Sequence, residues 1–171
     1  MSKKNMKERA IHNVWMLTRE YDGLAGAGGV KDVARQLAES LARSGRKVSV
    51  VLPLYGFMDP QQLGFTPLDL SFEIDLDYAA EPRREYVRIF AKMENPSDTK
   101  GPLSIYLIDA ARYLEKKSVY TYTAEDEALD PFHHQGSGHF DYFAMNVLLQ
   151  KAAAALMIRL GERPDIIHCH D

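Results

Sequence analysis

Residues 11–52 read IHNVWMLTREYDGLAGAGGVKDVARQLAESLARSGRKVSVVL. Ile11–Thr18 is a short run rich in Val, Trp, Met and Leu after a charged tail, which predicts a buried strand. The glycine-rich turn Gly23–Gly29 follows. Val30–Arg43 then places Val33, Ala34, Leu37 and Leu41 at the 3.6-residue period of an amphipathic helix. Gly45 stands where a helix takes a left-handed closing residue. Lys47–Leu52 (KVSVVL) predicts a second strand, stopped by Pro53. Strand, glycine turn, helix, short loop and strand make a βαβ unit, whose two strands run parallel.

Beyond this unit the pattern changes. Ser71–Tyr78 alternates apolar and acidic residues, and Arg84–Met93 alternates again. The two runs, parted by Glu81-Pro82, predict an antiparallel hairpin with one wet face, inserted into the βα pattern. Leu103–Ile108 reads as a buried strand, and residues 118–138 as an irregular loop. His139–Leu160 reads as a long helix with Phe140, Phe143, Val147, Leu148, Ala155 and Ile158 near one face, closed by Gly161. Asp165–Cys169 is a last strand. His12 and Trp15 are expected in the strand core.

Composition bounds the rest. The chain has 171 residues, 21 Lys+Arg against 24 Asp+Glu, a net charge of −3 and 46% hydrophobic residues. A chain of this size buries roughly 70% of its unfolded surface, enough for one core. Near-neutral charge argues against a nucleic-acid surface, which needs clustered cations. No apolar run approaches the ~20 residues of a membrane span. The one cysteine, Cys169, excludes an internal disulfide. We expect a cytoplasmic protein with a polar tail over residues 1–10 and a single Rossmann-like α/β domain over 11–171, a parallel sheet flanked by helices. Because the chain stops at the carboxyl end of a strand, it reads as a fragment.

The turn between first strand and first helix is the first candidate site. Helix N-termini present unpaired N–H groups and positive potential, and glycines let a phosphate or sugar approach the backbone. The competing reading is a tight turn that needs positive φ. A dinucleotide fingerprint would need Gly at position 31, which is Lys31, and an acidic end to the second strand, which is Val-Leu-Pro. A Walker loop would need Gly-Lys-Ser/Thr, which Gly28-Gly29-Val30 does not supply.

The stretch from Thr18 through Glu20, Gly28-Gly29 and Asp32-Val33 is similar to the opening of the glycogen/starch synthase family. In that family a strand is followed by Glu and then by Lys-x-Gly-Gly-Leu-Gly-Asp-Val. Ser44–Tyr55 resembles the family's second strand and its Leu-Pro-x-Tyr turn. Ile105–Asp109 with Tyr113 and Tyr120 resembles a strand ending in Asp before an aromatic-rich loop. Arg163–Asp171 resembles the Pro-Asp-x-x-His-x-His-Asp-Trp signature. The resemblance implies the N-terminal half of a GT-B retaining glycosyltransferase, with ADP-glucose or UDP-glucose as donor and an α-1,4-glucan as acceptor. It implies no cofactor and no metal, and it makes a missing C-terminal nucleotide-binding domain the partner. It places Gly28, Gly29 and Lys31 near the donor phosphate and sugar. Glu20, Tyr55, Asp109, Asp141, His168, His170 and Asp171 fall on the acceptor or cleft side, with no catalytic residue in this chain. Two departures stand out: the family Lys falls on Gly26, and Lys31 stands where the family has Gly. A non-catalytic carbohydrate-binding or regulatory module derived from such a domain is the alternative.

Other readings concern single groups. His168 and His170, with His133 and His134, could be metal ligands of a hydrolase, or a packed pair. Cys169, on the opposite strand face, is expected as a small core residue. Asp141 could complement the helix dipole or touch a sugar hydroxyl. Tyr55 and Tyr113 could stack on a sugar or pack in the core.

Overall fold

A computed structural model describes residues 10–78 and 81–170. The strands are β1 (Asn13–Leu17), β2 (Lys47–Pro53), β3 (Thr66–Tyr78), β4 (Glu81–Glu94), β5 (Leu103–Asp109) and β6 (Ile166–Cys169). The helices are α1 (Val30–Arg43), α2 (Ala111–Leu114), α3 (Ala124–Leu129) and α4 (Tyr142–Arg159). They form one six-stranded sheet in the order β3-β4-β5-β2-β1-β6. β5, β2, β1 and β6 run parallel. The hairpin β3-β4 extends this sheet antiparallel from β5. Its turn, residues 79–80, lies outside the described residues.

The βαβ unit forms as its sequence dictates. Gly45, at φ 90°, follows α1 and lets its own N–H close on the Ala42 carbonyl. The wet face of the hairpin carries Arg84 against Asp75 at 2.7 Å, while Phe72, Leu76, Val87 and Ile89 fill the dry face. Chain order reverses at β1: β2 lies on one side and β6 on the other. The glycine turn leaves β1 at this switch point, where open α/β sheets place ligands.

Five expectations are corrected. The inner stripe of α1 is Ala34, Ala38 and Ala42, whereas Val33 is exposed. Both stripes are apolar, but only alanines let the helix settle closely onto the sheet. In α4 the buried residues are Ala144, Met145, Leu148, Leu149, Ala152, Ala153, Leu156 and Met157, while Phe143 and Ile158 face outward, as does Phe140 before the helix. That helix is apolar around most of its girth, so packing rather than pattern selects the face. Residues 118–138 contain α3, closed at its start by a capping box between Thr123 and Asp126. Trp15 is in the core, but His12 is exposed ahead of β1, and Cys169 is exposed because β6 is a sheet edge. Among the described residues no helix is long and apolar enough to cross a membrane.

Candidate functional site

The turn after β1 has two parts. Tyr21 and Ala25 pair as a small hairpin, with Gly23 at its tip at φ 82°. Only there does the turn need a left-handed glycine. Gly28 and Gly29 do not have positive φ, and a Cβ built on either meets nothing within 4 Å. Neither crowding nor backbone strain requires these two glycines. They leave bare backbone facing open space.

Glu20 holds this backbone in place. Its Oε2 accepts from the N–H groups of Ala27 (2.7 Å) and Gly28 (3.1 Å), and its Oε1 accepts from the Tyr120 hydroxyl (2.5 Å). The Glu20 residue is buried. Burial by itself raises the Glu20 carboxyl. Its hydrogen bonds from Tyr120, Ala27 and Gly28, with the Arg19 charge, outweigh that and hold the pKa below the usual carboxylate value. Arg19 lies 4.8 Å over the Tyr120 ring and donates to the Val119 carbonyl, so the 119–120 segment is locked to the turn. The Gly28 N–H expected to face a ligand is thus already engaged. α1 begins at N-cap Gly29 without a side-chain cap, so the N–H groups of its first turn, Val30 and Lys31 among them, have no capping acceptor.

Lys31 reaches back over the turn. Its ammonium sits 2.8 Å from Asp32 and 3.4 Å from Asp22. These hydrogen bonds, Asp32 first, raise its pKa. Its stem lies against Gly26, and its ammonium is shared with two carboxylates.

The remaining site residues scatter. Tyr55 is fully buried, its hydroxyl donating to the Arg19 carbonyl (3.2 Å) and its ring edge-on to Tyr113. The core reading therefore replaces sugar stacking for both tyrosines, since Tyr113 is also fully buried and donates to the Met145 carbonyl. Asp109 is buried against Arg88 of β4 at 2.7 Å, across the β4–β5 register. Asp141 occupies the N-cap of α4 but makes no cap hydrogen bond. It pairs with Arg112 (2.6 Å) and Lys116 (2.9 Å), and Arg112 continues to Glu85 (2.9 Å). Burial raises the Asp141 carboxyl, and the Lys116 and Arg112 partners more than reverse this. Asp141 is thus tied into a buried ionic chain, and neither the dipole reading nor the sugar reading describes its contacts.

His168 and His170 have ring centroids 4.6 Å apart. His168 lines a cavity with Leu37 and Leu41 of α1, whereas His170 lines another with Asn146 and Leu149 of α4. Burial, then the His168 charge, lowers the His170 pKa. Among the described residues no group of three His, Cys, Asp or Glu is placed to hold a metal ion. His133 and His134 lie on the α3–α4 loop, where His133 stacks on Tyr122 and His134 contacts Glu127. Asp171 lies outside the described residues. The structure thus brings Glu20, Gly28, Gly29 and Lys31 together, and it adds Tyr120, Arg19 and Asp22 to them. No local sequence pattern signals this clasp. The partner Tyr120 is a hundred residues away.

Residues 13–171 match the family model described as the starch synthase catalytic domain. The chain is 28% identical over 159 residues to a glycogen synthase of Vibrio cholerae, covering 93% of this chain and 28% of that protein. It is 27% identical over 158 residues to glycogen synthase 2 of Geobacter sulfurreducens, covering 92% of this chain and 28% of that protein. The catalytic domain of starch synthase IV from Arabidopsis thaliana, solved with ADP and acarbose, superposes with a TM-score of 0.63 at 24% identity. That match covers 95% of this chain and 28% of the other, and it speaks for the fold. The chain therefore spans little more than a quarter of these proteins' length.

Proposed function

The chain belongs to the family of starch synthase catalytic domains, and on that premise we propose that it forms one wall of a nucleotide-sugar glycosyltransferase cleft. The donor, ADP-glucose or UDP-glucose, lays its diphosphate and sugar against Gly28, Gly29 and the first turn of α1, beside Lys31. The acceptor is an α-1,4-glucan. A second, nucleotide-binding domain supplies the opposite wall. One observation carries this reading: Gly28 and Gly29 are bare where the fold does not ask for glycine. An uncapped helix N-terminus at a sheet switch point is the place where an anion gains from such bareness.

The division of labour follows. Glu20 and Tyr120 fix the turn before ligand arrives, so that little ordering cost falls on binding. The N–H groups of Val30 and Lys31 and the α1 dipole face the phosphates. Half a cleft cannot hold the donor in an attack geometry, where misplacement alone costs about 10² in rate. The 171-residue chain by itself should therefore transfer no glucose.

An amide NMR titration with ADP tests the site. The Gly29, Val30 and Lys31 signals should move first, and Gly29→Val should abolish the movement while changing stability by no more than about 0.5 kcal/mol. Shifts confined to the hairpin or the outer face of α4 would refute it. The alternative, a non-catalytic carbohydrate-binding module, gains from the pairing of Lys31 with Asp22 and Asp32, which leaves the turn no uncommitted cation. Under that reading malto-oligosaccharide moves the same amides and ADP does not.

A further inference from the structure

Beside α4, a cavity of about 120 Å³ opens at the carboxyl ends of β1 and β6. Arg19, Asn146, Gln150 and His170 form its polar wall, and Leu17 and Leu149 its apolar one. Arg19 is 7% exposed. Its guanidinium has only neutral partners: the Val119 carbonyl, the Tyr55 hydroxyl and the face of the Tyr120 ring. Among the described residues no carboxylate pairs with it. A buried cation without a counter-ion is costly and calls for an explanation. We propose that this cavity binds one small oxyanion, a phosphate or carboxylate group, with Arg19 as its counter-ion.

Charge and size select the ligand. The wall holds no carboxylate, so a cation entering the cavity would face the guanidinium with nothing to offset the repulsion. Glu20, the neighbouring acid, does not line the cavity, and its two oxygens accept from Ala27, Gly28 and Tyr120. The volume is that of about four waters. It lies well below the ~300 Å³ at which pockets for drug-sized ligands begin, so a nucleotide or a sugar ring does not fit. A single phosphate or carboxylate group does.

The rest of the wall suits such a group. A guanidinium presents a planar fork of N–H donors that matches an oxyanion, and it stays charged at every accessible pH. Asn146 and Gln150 stand one turn apart on α4, so their two carboxamides border the same space, each with N–H groups to donate. His170 adds an imidazole. Burial, then the His168 charge, lowers its pKa, and an anion beside the ring acts in the opposite sense. The cavity meets solvent past Gln150 and Cys169, which are both exposed. The proposal goes beyond the transferase reading and does not rest on it. The glycine turn offers backbone N–H groups, whereas this cavity offers side chains.

The test titrates the chain with inorganic phosphate and, separately, with acetate at constant ionic strength. NMR follows the side-chain amides of Asn146 and Gln150 and the His170 ring. Saturable shifts of all three groups are expected with at least one anion, and the tighter of the two tells a phosphate from a carboxylate site. Arg19→Gln keeps an N–H donor without the charge and should weaken binding at least about tenfold. Arg19 also braces Tyr120, so a second variant leaves it in place. Asn146→Asp, nearly isosteric, sets a carboxylate on the wall and should also weaken binding at least about tenfold. It serves if the Arg19 variant does not fold. The proposal is overturned if neither anion moves these groups, which would mean that water satisfies the guanidinium. It is overturned as well by unchanged affinity in a folded variant of either kind. Asp171→Asn should bind as the parent does, and binding gained only on that change would assign the cavity to the chain's own carboxylate and sink the proposal. ADP shifts at Gly29 and Val30, recorded on the same sample, judge the transferase reading separately. If ADP binds there and both anions leave His170 unmoved, only the cavity proposal falls. If an anion moves His170 and ADP moves nothing, the anion site stands without the transferase.

Discussion

Lys31 lies across Gly26. A Cβ built on residue 26 would stand 2.4 Å from Lys31 Cδ and 2.9 Å from its Cβ, closer than non-bonded carbons approach. The two positions thus share one space, and a side chain on either displaces the other. The stem of Lys31 fills the place that a residue-26 side chain would take.

Double-mutant analysis should show this coupling. Gly26→Ala is expected to cost about 1–2 kcal/mol by overpacking against Lys31. Lys31→Gly costs about 1 kcal/mol through helix propensity. The double variant should cost at least about 1 kcal/mol less than their sum. Gly26→Lys alone should be worse than Gly26→Ala, and adding Lys31→Gly should relieve it. Urea unfolding reads all of these, and additivity within about 0.3 kcal/mol would refute the shared space.

Glu20 gives a second prediction. Gln has one acceptor oxygen: placed where Oε2 stands it keeps both N–H bonds but sets its amide group against the Tyr120 hydroxyl, and placed the other way it keeps Tyr120 and loses both N–H bonds. One or more buried donors among Ala27, Gly28 and Tyr120 lose their partner. The expected cost of Glu20→Gln is about 1–3 kcal/mol. Amide exchange at Ala27 and Gly28 should speed up with it, while exchange in β2 follows only the global change. Tyr120→Phe removes one hydrogen bond of the set and should cost less, about 1 kcal/mol.

How much of this was legible beforehand depends on sequence distance. The βαβ unit and α1 could be read because period, glycine turn and Gly45 all lie within one local window. The hairpin followed from alternation, but its union with β5 did not, since antiparallel register between Arg88 and Asp109 is decided by packing. Asp109 could be picked out as a strand-end carboxylate, yet its partner sits 21 residues earlier. On α1 the apolar set Val33, Ala34, Leu37 and Leu41 packs inward except for Val33, because the helix carries two neighbouring apolar stripes, Val33–Leu37–Leu41 and Ala34–Ala38–Ala42. Hydrophobicity favours the larger one, and close approach to a sheet favours the smaller. The bare glycines were visible as letters. That the fold does not need them became visible only with φ angles and open space around them.

Asp141 separates buried from exposed charge. Asp141→Ala leaves Lys116 with no counter-ion and Arg112 with Glu85 alone in a buried setting, and should destabilise by about 3–5 kcal/mol. Asp75→Ala breaks the pair with Arg84, whose side chains are 74% and 63% exposed, and should cost under about 1 kcal/mol. Urea unfolding of the two variants side by side reads the contrast. Equal costs would mean that the Glu85–Arg112–Asp141–Lys116 chain is solvated.

His139 and the carboxylates should divide the acid limb of the stability curve between them. The imidazole has a folded pKa of about 4 against 6.5 for the free side chain. Between these values the unfolded chain binds a proton that the folded chain refuses, so stability falls as pH drops from about 6.5 to about 4. Burial and the Lys116 charge cause the refusal. A depression of this size corresponds to about 2–3 kcal/mol lost across that window. Glu20 and Asp141, also lowered in the folded chain, act further down. Their contribution is present above the unfolded carboxyl pKa and is lost as pH falls through the lower folded value. His139→Phe should therefore flatten the curve between about pH 6.5 and 4 and leave the steep loss below it. At neutral pH the same variant should be as stable as the parent or more so, because it removes two unpaired buried nitrogens. Urea midpoints taken at half-unit pH steps on both proteins make the comparison. Parallel curves through that window would mean that His139 takes up its proton in the folded chain as readily as in the unfolded one, and that its ring nitrogens are in contact with water.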